Sequence, residues 1–312
     1  MNLSKEMLQK LEKLEQKYAA LGQNMEAYID GLLYADYLTY WEYIRVDTLL
    51  SLQQPLTPFP DEEIFIIYHQ ITELYFKLIQ NAIKQLQQEE KPNPELFTRQ
   101  IKRVNSYFRQ LVNSFDIMVN GLDKDEFLKF RMSLLPSSGF QSAAYREIEI
   151  ISTDMPKLVH HSRRAGAKPN DSIAELYKNI YWKFGATELA TGRKTLTLKQ
   201  FERKYSARLI RLAESVKESN IWQLYKKLPK KVQQDPDLIQ ALKDHDLNAN
   251  VLWPLSHYRA AVRHLNLEPN VIAATGGTNW QKYLPPKNQR IVFYPELWTK
   301  EELDNWGKSV KF

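Results

Sequence analysis

The chain of 312 residues has a formal net charge of +6 and contains 43% hydrophobic and 26% charged residues, a balance typical of soluble globular proteins and not of disordered ones. It has no cysteine, which excludes disulfides, thiolate catalysis, iron–sulfur clusters, cysteine-bound zinc and thiolate-bound haem. No apolar run approaches the roughly 20 residues that cross a bilayer, and the charged N-terminus lacks the apolar core of a signal peptide. We therefore expect a cytoplasmic protein without a membrane partner.

Helical periodicity dominates the chain, and no Asn-Gly or Asp-Gly pair lies between alternating apolar runs. Breaks rich in proline or glycine separate the periodic segments, and 163–170 is the most linker-like of them. The pattern predicts an all-α protein, with helices over about residues 4–21, 26–53, 62–89, 94–118, 124–132, 140–151, 171–184, 195–218, 235–246 and 254–266.

The positive net charge leaves nucleic acid or an anionic small molecule as possible partners. Basic and acidic residues are interleaved almost everywhere, and the sequence KKLPKK at 226–231 is the only dense basic cluster. A solvated helix end explains such a cluster more often than a track that binds phosphates. We therefore expect no nucleic acid partner.

The segment DEEIFIIYHQITELYFK (61–77) is an amphipathic helix that places a histidine among apolar residues. Asp61 suits the N-cap, and the acidic residues after it favour the helix dipole. At about 100° per residue, one broad stripe is expected to form the core, and it contains Ile64, Ile67, Tyr68, Ile71, Leu74, Tyr75 and Leu78. His69 lies instead on an edge stripe with Phe65, Thr72 and Phe76. That stripe indicates the wall of a second, aromatic-lined cavity.

Two interpretations of His69 stay open from this pattern. The imidazole could be a core-edge group bonded to a backbone carbonyl, or it could serve a bound ligand as hydrogen-bond acceptor or base. A second helix, LWPLSHYRAAVRHL (252–265), adds His257 one turn beyond Trp253 and His264 on roughly that face. Two such helices facing each other could hold a planar cofactor, although spacing alone does not identify it as haem.

These segments resemble the tryptophan 2,3-dioxygenase family, in the family's order and across nearly the whole chain. The matching segments are DTLLSLQQPL (47–56), DEEIFIIYHQITELYFK (61–77), FLKFRMSLLPSSGFQSAAYREIE (127–149), LWPLSHYRAAVR (252–263) and ATGGTNWQKYL (274–284). The combination of FIIYHQITEL with SGFQSAAYR is the most specific part of the resemblance.

The resemblance implies a large all-helical catalytic domain over 47–312, with a b-type haem pocket between helices. It also implies an N-terminal helical segment, 1–46, that packs on a neighbouring subunit of a homotetramer, a dimer of dimers. The implied cofactor is haem b in the ferrous state, and the implied substrates are L-tryptophan and O₂. The implied reaction cleaves the C2–C3 bond of the indole ring to give N-formylkynurenine, the first step of tryptophan catabolism.

Matched position by position, the resemblance also implies roles for single residues. His257 corresponds to the proximal haem ligand, with His264 as the alternative because the segment after His257 is longer than usual in the family. His69 corresponds to the distal, catalytic histidine at the indole N–H. The other implied positions are Phe65 on the indole, Phe127 one turn before Arg131, Arg131 at the substrate carboxylate, Ser138 beside the haem, and Thr275 and Gly276 at the amino acid end.

The family brings two tyrosines into each site from a neighbouring subunit. An ungapped count back from Asp47 assigns Tyr40 and Tyr43, whereas Tyr34 and Tyr37 would need an insertion.

The loop after the second helix reads Ala-Thr-Gly-Gly-Thr where the family commonly has Gly-Thr-Gly-Gly-Ser, which could alter the fit around the amino acid. Two alternatives stay open: a haem monooxygenase of the same fold acting on tryptophan or a related aromatic compound, and a non-catalytic helical protein that binds haem or nucleic acid.

Overall fold

The computed structural model describes residues 3–88, 93–134, 141–168, 170–186, 193–267, 270–271, 281 and 284–308. Over these residues nearly all regular structure is helical, apart from a two-residue antiparallel pair of strands, β1 (Asn266–Leu267) and β2 (Asn270–Val271). The prediction of an all-α fold is confirmed. None of the described helices combines the length and the apolar character that a bilayer span requires. The chain divides into two compact units, Met1–Gln54 and Pro55–Phe312, and each is described by itself.

The unit Met1–Gln54 is a series of short helices. They are α1 (Lys5–Ala20), α2 (Met25–Leu33), α3 (Tyr40–Tyr43) and α4 (Val46–Leu49). The hydroxyl of Ser4 caps α1 by accepting a hydrogen bond from the backbone N–H of Met7. Among the residues described, none in this unit is buried, and several of its large apolar side chains, such as Leu33 and Trp41, are exposed.

The prediction of one continuous helix over 26–53 is wrong, because this segment contains three separate helices. The chain leaves helical geometry and turns through Tyr37 and Arg45, whose φ angles of 52° and 55° lie in the left-handed region that interrupts a helix. Between these two positions a new helix, α3, begins at Tyr40. Its N-cap, Thr39, forms a capping box with Glu42. Helical periodicity did not separate one long helix from several short ones, because short helices can keep the same apolar spacing.

The unit Pro55–Phe312 contains the remaining helices. They are α5 (Asp61–Gln87), α6 (Pro94–Ser114), α7 (Asp116–Asn120), α8 (Lys124–Phe130), α9 (Ala143–Ser152), α10 (His161–Arg164), α11 (Ile173–Lys178), α12 (Tyr181–Gly185), α13 (Leu196–Ser215), α14 (Ile221–Lys227), α15 (Lys230–Gln233), α16 (Pro236–Leu247), α17 (Trp253–Leu265), α18 (Pro286–Gln289) and α19 (Lys300–Asp304). Short 3₁₀ turns cover Arg131–Leu134, Met155–Leu158 and Pro295–Leu297.

α5 and α6 pack against each other and form the centre of this unit, with α9 beside α5 and α16 beside α6. Their common core contains the buried side chains of Phe76, Ile79 and Ile83 on α5 and of Ile101 and Phe108 on α6. Burial of apolar surface, at about 25 cal/mol per Å², is the main favourable term that holds such a helical layer together. The packed middle of α5 is therefore held rigidly against α6, and this fixes the position of the residues toward both ends of α5.

The predicted core stripe of α5 is partly wrong. Ile67, Leu74 and Leu78 are 38%, 47% and 46% exposed. The buried face runs instead along Tyr68, Thr72, Phe76, Ile79 and Ile83. The first half of α5 is apolar on more than one side, so periodicity predicted the helix but not which of its apolar sides meets the core of this chain.

A π-helical segment, Asn248–Leu252, joins α16 to α17 and was not predicted. The buried carboxylate of Asp246 holds this segment by accepting a hydrogen bond from the side chain of Asn250 at 2.8 Å. The same carboxylate accepts hydrogen bonds from the backbone N–H groups of Phe293 and Tyr294 at 2.8 and 3.0 Å. The start of α17 is therefore tied to the C-terminal part of the chain, and π-helical turns of this kind often occur beside functional sites.

Candidate functional site

The N-terminal half of α5 presents an oriented imidazole. The Nδ1–H group of His69 donates a hydrogen bond to the backbone carbonyl of Phe65 at 2.7 Å, one turn earlier in the helix. A carbonyl oxygen can only accept, so Nδ1 carries the proton and Nε2 is left as an acceptor. The ring of Phe65 packs against the imidazole, with 4.1 Å between the ring centroids. α5 thus offers a neutral imidazole whose free lone pair lies on Nε2.

α17 presents the second imidazole, His257. Trp253, one turn earlier, packs its ring 5.7 Å from that of Phe76 on α5 and 5.1 Å from that of Phe115. The ring of Phe115 lies in turn 5.8 Å from the ring of His257. Within the described part of the chain, no group hydrogen-bonds to either ring nitrogen of His257. The imidazole is therefore held by packing while its nitrogens remain uncommitted.

The two imidazoles are joined by a run of ring contacts through Tyr68 and Phe115, with centroids 6.1, 5.5 and 5.8 Å apart. We call the region between the two imidazoles the cleft. Desolvation by the surrounding protein lowers the pKa of His257 to about 4, with a smaller contribution from the charge of His69. Desolvation also lowers the pKa of His69, against the opposing effect of its hydrogen bond with Phe65. His69 is nevertheless exposed to solvent and His257 is half-buried. Protein atoms surround both rings although solvent still reaches them, and the lowered pKa values keep both imidazoles neutral at pH 7. The two rings also lie within electrostatic range of each other.

Aromatic side chains from α5, from the α6–α7 junction and from α8 pack together beside the two imidazoles, and Phe115 and Phe130 are buried among them. Phe115 lies at the junction of α6 and α7, with its ring 5.5 Å from that of Tyr68. On the other side, Phe127 and Phe130 of α8 approach Phe65, with ring centroids 6.2 and 5.9 Å apart. The sequence did not point to Phe115 or Phe130, because Phe115 falls where one helix ends and Phe130 looks like an ordinary core residue. Aromatic walls of this kind suit a flat apolar ligand.

Arg131 is a buried cation at the end of α8, the helix that carries Phe127 and Phe130. It follows Phe130 directly, where α8 passes into a 3₁₀ turn, and it is only 5% exposed. Burial lowers the pKa of its guanidinium. The planar fork of a guanidinium suits an anionic ligand with two oxygen atoms.

His264, the alternative ligand, is in a different situation. It is buried, and its Nε2–H group donates a hydrogen bond to the backbone carbonyl of Met118 at 2.7 Å. Its ring lies 5.1 Å from the ring of Phe127. The nitrogen that would most readily reach a ligand is therefore already used to tie α17 to α7. The geometry favours His257 over His264 as the group that faces the cleft.

Five of the predicted substrate-binding residues are not tested by the geometry of the cleft. Ser138, Thr275 and Gly276 fall outside the described residues. Tyr40 and Tyr43 belong to the unit Met1–Gln54, where they are 73% and 76% exposed. The roles assigned to all five remain predictions.

The cleft fits a planar iron porphyrin in the chemistry of its residues. A neutral imidazole with uncommitted nitrogens, as on His257, is a common axial ligand of haem iron. Its ring stands against Phe115 in an aromatic surrounding, which suits a flat macrocycle. His69, with an acceptor nitrogen, could contact a second flat molecule in the same cleft.

Comparison with known proteins supports this interpretation. The family model for tryptophan 2,3-dioxygenase matches residues 31–180, which include α5 and α8. A tryptophan 2,3-dioxygenase from Polaromonas naphthalenivorans (strain CJ2) is 29% identical over 84% of this chain and 90% of its own length. Another from Pseudomonas fluorescens (strain Pf-5) is 28% identical over 86% of this chain and 92% of its own length. A third, from Bacillus thuringiensis (strain Al Hakam), is 40% identical over 36% of this chain and 40% of its own length.

The pKa of His264 leads to a prediction about acid stability. Burial lowers this pKa in the folded protein, so the unfolded chain binds more protons at pH values below about 6.5. We expect His264→Gln to lower the slope of the unfolding free energy against pH in that range, because glutamine cannot be protonated. At pH 8 the variant should lie within ~1 kcal/mol of the parent, since the amide can still donate to the Met118 carbonyl. Urea unfolding at several pH values measures both quantities, and parallel curves for the two proteins would contradict the prediction.

Proposed function

We propose that this protein, which belongs to the tryptophan 2,3-dioxygenase family, is a haem-dependent dioxygenase of L-tryptophan. In the proposed reaction the C2–C3 bond of the indole ring breaks and each carbon takes one atom of O₂, which gives N-formylkynurenine. Both oxygen atoms stay in the product, so the reaction needs no external electrons or protons. The observation that carries the proposal is the pair of imidazoles, His69 and His257, that face each other's helices and are joined by ring contacts through Tyr68 and Phe115.

His257 is the residue that would hold haem b through its iron. Ferrous haem would supply the activation of O₂ when it is bound. Trp253 and Phe115 brace the helix turn that carries His257, which would fix the direction of the imidazole. The aromatic side chains around the cleft would exclude water from the reacting groups.

His69 would orient the indole ring. Its Nε2 lone pair is free to accept a hydrogen bond from the indole N–H, because Nδ1 is committed to the carbonyl of Phe65. The ring of Phe65 would pack on the indole plane from the same helix. Holding the reacting carbons in position in this way can supply several kcal/mol of the rate acceleration.

Arg131 would bind the substrate carboxylate. Its guanidinium can donate two parallel hydrogen bonds to the two carboxylate oxygens, which lysine cannot reproduce. Phe127, one turn before Arg131 in the chain, has its ring 6.2 Å from that of Phe65. From the family resemblance we also propose Thr275 and Gly276 at the amino acid end of the substrate and Ser138 beside the haem.

We further propose a cytoplasmic homotetramer, in which the segment 1–46 packs on a neighbouring subunit and 47–312 forms the catalytic domain. Tyr40 and Tyr43 would enter the site of the neighbour, with Tyr34 and Tyr37 as the alternative pair. The exposure of these apolar and aromatic side chains in the single chain supports the proposal; Tyr34, Tyr37, Tyr40 and Tyr43 are 86%, 94%, 73% and 76% exposed. Exposed apolar surface of this extent commonly marks an interface.

The test of the proposed reaction uses haem-loaded protein that is reduced without oxygen and then mixed with L-tryptophan and ¹⁸O₂. We expect an absorbance rise at the formylkynurenine band and a product that carries two labelled oxygen atoms. A product with one labelled oxygen would indicate a monooxygenase of the same fold. A haem spectrum without any turnover of tryptophan would indicate a non-catalytic haem protein.

The choice of iron ligand leads to a second prediction. We expect His257→Ala to lose the Soret band on desalting after haem loading, because it removes the imidazole that we assign to the haem iron. His264→Gln is the matched control, since it removes the other imidazole of α17 but keeps a donor for the Met118 carbonyl. Loss of haem from His264→Gln with retention by His257→Ala would reverse the assignment.

The tautomer of His69 leads to a third prediction. A glutamine amide reaches the position of Nε2, whereas an asparagine amide reaches only that of Nδ1. We expect His69→Asn to lower kcat/KM for L-tryptophan about tenfold more than His69→Gln, as for the loss of one hydrogen bond of about 1.4 kcal/mol. Steady-state kinetics at saturating O₂ measures the difference. Equal losses in the two variants would contradict Nε2 as the acceptor of the indole N–H.

A further inference from the structure

The helices α5 and α8 begin side by side and are joined by two hydrogen bonds at their first turns. The carboxylate of Asp61 on α5 accepts a hydrogen bond from the backbone N–H of Asp123, the N-cap of α8, at 2.6 Å. The carboxylate of Glu126 on α8 accepts one from the backbone N–H of Asp61 at 3.3 Å. Each helix thus supplies an acceptor for an N–H group at the start of the other. We call these three residues the α5–α8 bridge.

The spacing beyond the bridge is the same on both helices. One turn on, the rings of Phe65 and Phe127 lie 6.2 Å apart. Two turns on come His69 and Arg131, the groups assigned to the two ends of the substrate. The equally spaced residues on α5 are Asp61, Phe65 and His69. Their counterparts are Asp123 at the N-cap of α8, Phe127 within α8, and Arg131 at the start of the 3₁₀ turn that follows it. Because an α-helix rises 1.5 Å per residue along its axis, fixing the first turns of two neighbouring helices also fixes how their later turns are aligned along the axes.

Other contacts hold the same end of α5 in place. The carboxylate of Glu62 accepts hydrogen bonds from the backbone N–H groups of Leu56 and Thr57 at 3.0 and 2.7 Å, and one from the Thr57 hydroxyl at 2.5 Å. The ammonium of Lys129 on α8 lies 5.6 Å from the centre of the Phe59 ring, in the loop before α5. The bridge is therefore one of several contacts that hold the first turns of α5 and α8 together.

We infer that the carboxylates of Asp61 and Glu126 are positioning residues that set the separation of His69 and Arg131 and thereby select substrates bearing both an indole and a carboxylate. The inference rests on the proposed function and deepens it. Neither carboxylate is assigned any contact with the substrate. A ligand that reaches both His69 and Arg131 depends on the register of α5 against α8, whereas a ligand without a carboxylate depends on α5 alone.

The test compares L-tryptophan with tryptamine, which has the same indole and ammonium groups but no carboxylate. Binding of each ligand to haem-loaded protein is measured by calorimetry for the parent and for Asp61→Ala. We expect the affinity for L-tryptophan to fall about tenfold and that for tryptamine to change less than about twofold. Asp61→Asn should restore most of the affinity for L-tryptophan, because its amide oxygen can still accept from the Asp123 N–H.

Glu63→Ala is the matched control. Glu63 lies in the same first turn of α5 and is exposed, so its removal takes away the same charge from the same helix N-terminus without breaking the bridge. We expect no change in either affinity. An equal loss of affinity for both ligands in Asp61→Ala, or the same loss in Glu63→Ala, would overturn the inference, because either result would reflect general destabilisation or charge alone.

A second measurement separates the bridge from the proposed function. If the parent protein binds no L-tryptophan, the proposed function fails, and the bridge is then tested by thermal unfolding of Asp61→Ala, Glu126→Ala and the double variant. We expect the Tm loss of the double variant to be smaller than the sum of the single losses, because both bonds join the same two helix ends. Additive losses would show that the two carboxylates do not act as one bridge and would overturn the inference.

Discussion

The hydrogen bond from His69 to the carbonyl of Phe65 determines what α5 presents to the cleft. Its acceptor lies one turn earlier in the same helix, so the orientation of the imidazole needs no partner from another element. The bond also fixes the tautomer, because a carbonyl cannot donate, and it leaves the acceptor lone pair on Nε2. The proposed recognition of an indole N–H depends on this lone pair. A doubly protonated ring would offer only donors, and the lowered pKa of His69 opposes that state.

The position of His257 is determined by contacts with several other elements. Its helix starts after a π-helical segment held by the buried carboxylate of Asp246, and Trp253 then packs between Phe76 and Phe115. The position of the imidazole therefore depends on α5, on α16 and on the junction of α6 and α7 together. The same helix turns His264 toward the Met118 carbonyl, where it serves packing. α17 thus carries two histidines with different surroundings. Those of His264 indicate a structural role, and those of His257 make it the candidate ligand.

Two buried arginines show a similar separation. The guanidinium of Arg146 on α9 donates hydrogen bonds to the carboxylate of Glu149 at 2.7 Å and to the hydroxyl oxygen of Tyr181 at 2.9 Å. Burial opposes its charge, but the neighbouring carboxylate outweighs burial and raises the pKa of Arg146. For Arg131 burial lowers the pKa instead. The charge of Arg146 is compensated inside the core by Glu149. The guanidinium of Arg131 is the one that we propose for the substrate carboxylate.

The sequence by itself determined the all-α class, the extent of α5 and α17, and the residues that resemble one enzyme family, because these follow from local periodicity and from short motifs. It did not determine which apolar side of α5 faces the core, since Ile67 and Leu74 have the same hydrophobicity as the residues that are buried. It also left His257 and His264 as alternatives, because the two lie on similar faces of one helix. Only the tertiary structure decided that the Met118 carbonyl accepts from the Nε2–H of His264, while no described residue hydrogen-bonds to the ring of His257. That choice depends on contacts between segments far apart in the chain, which no local pattern encodes.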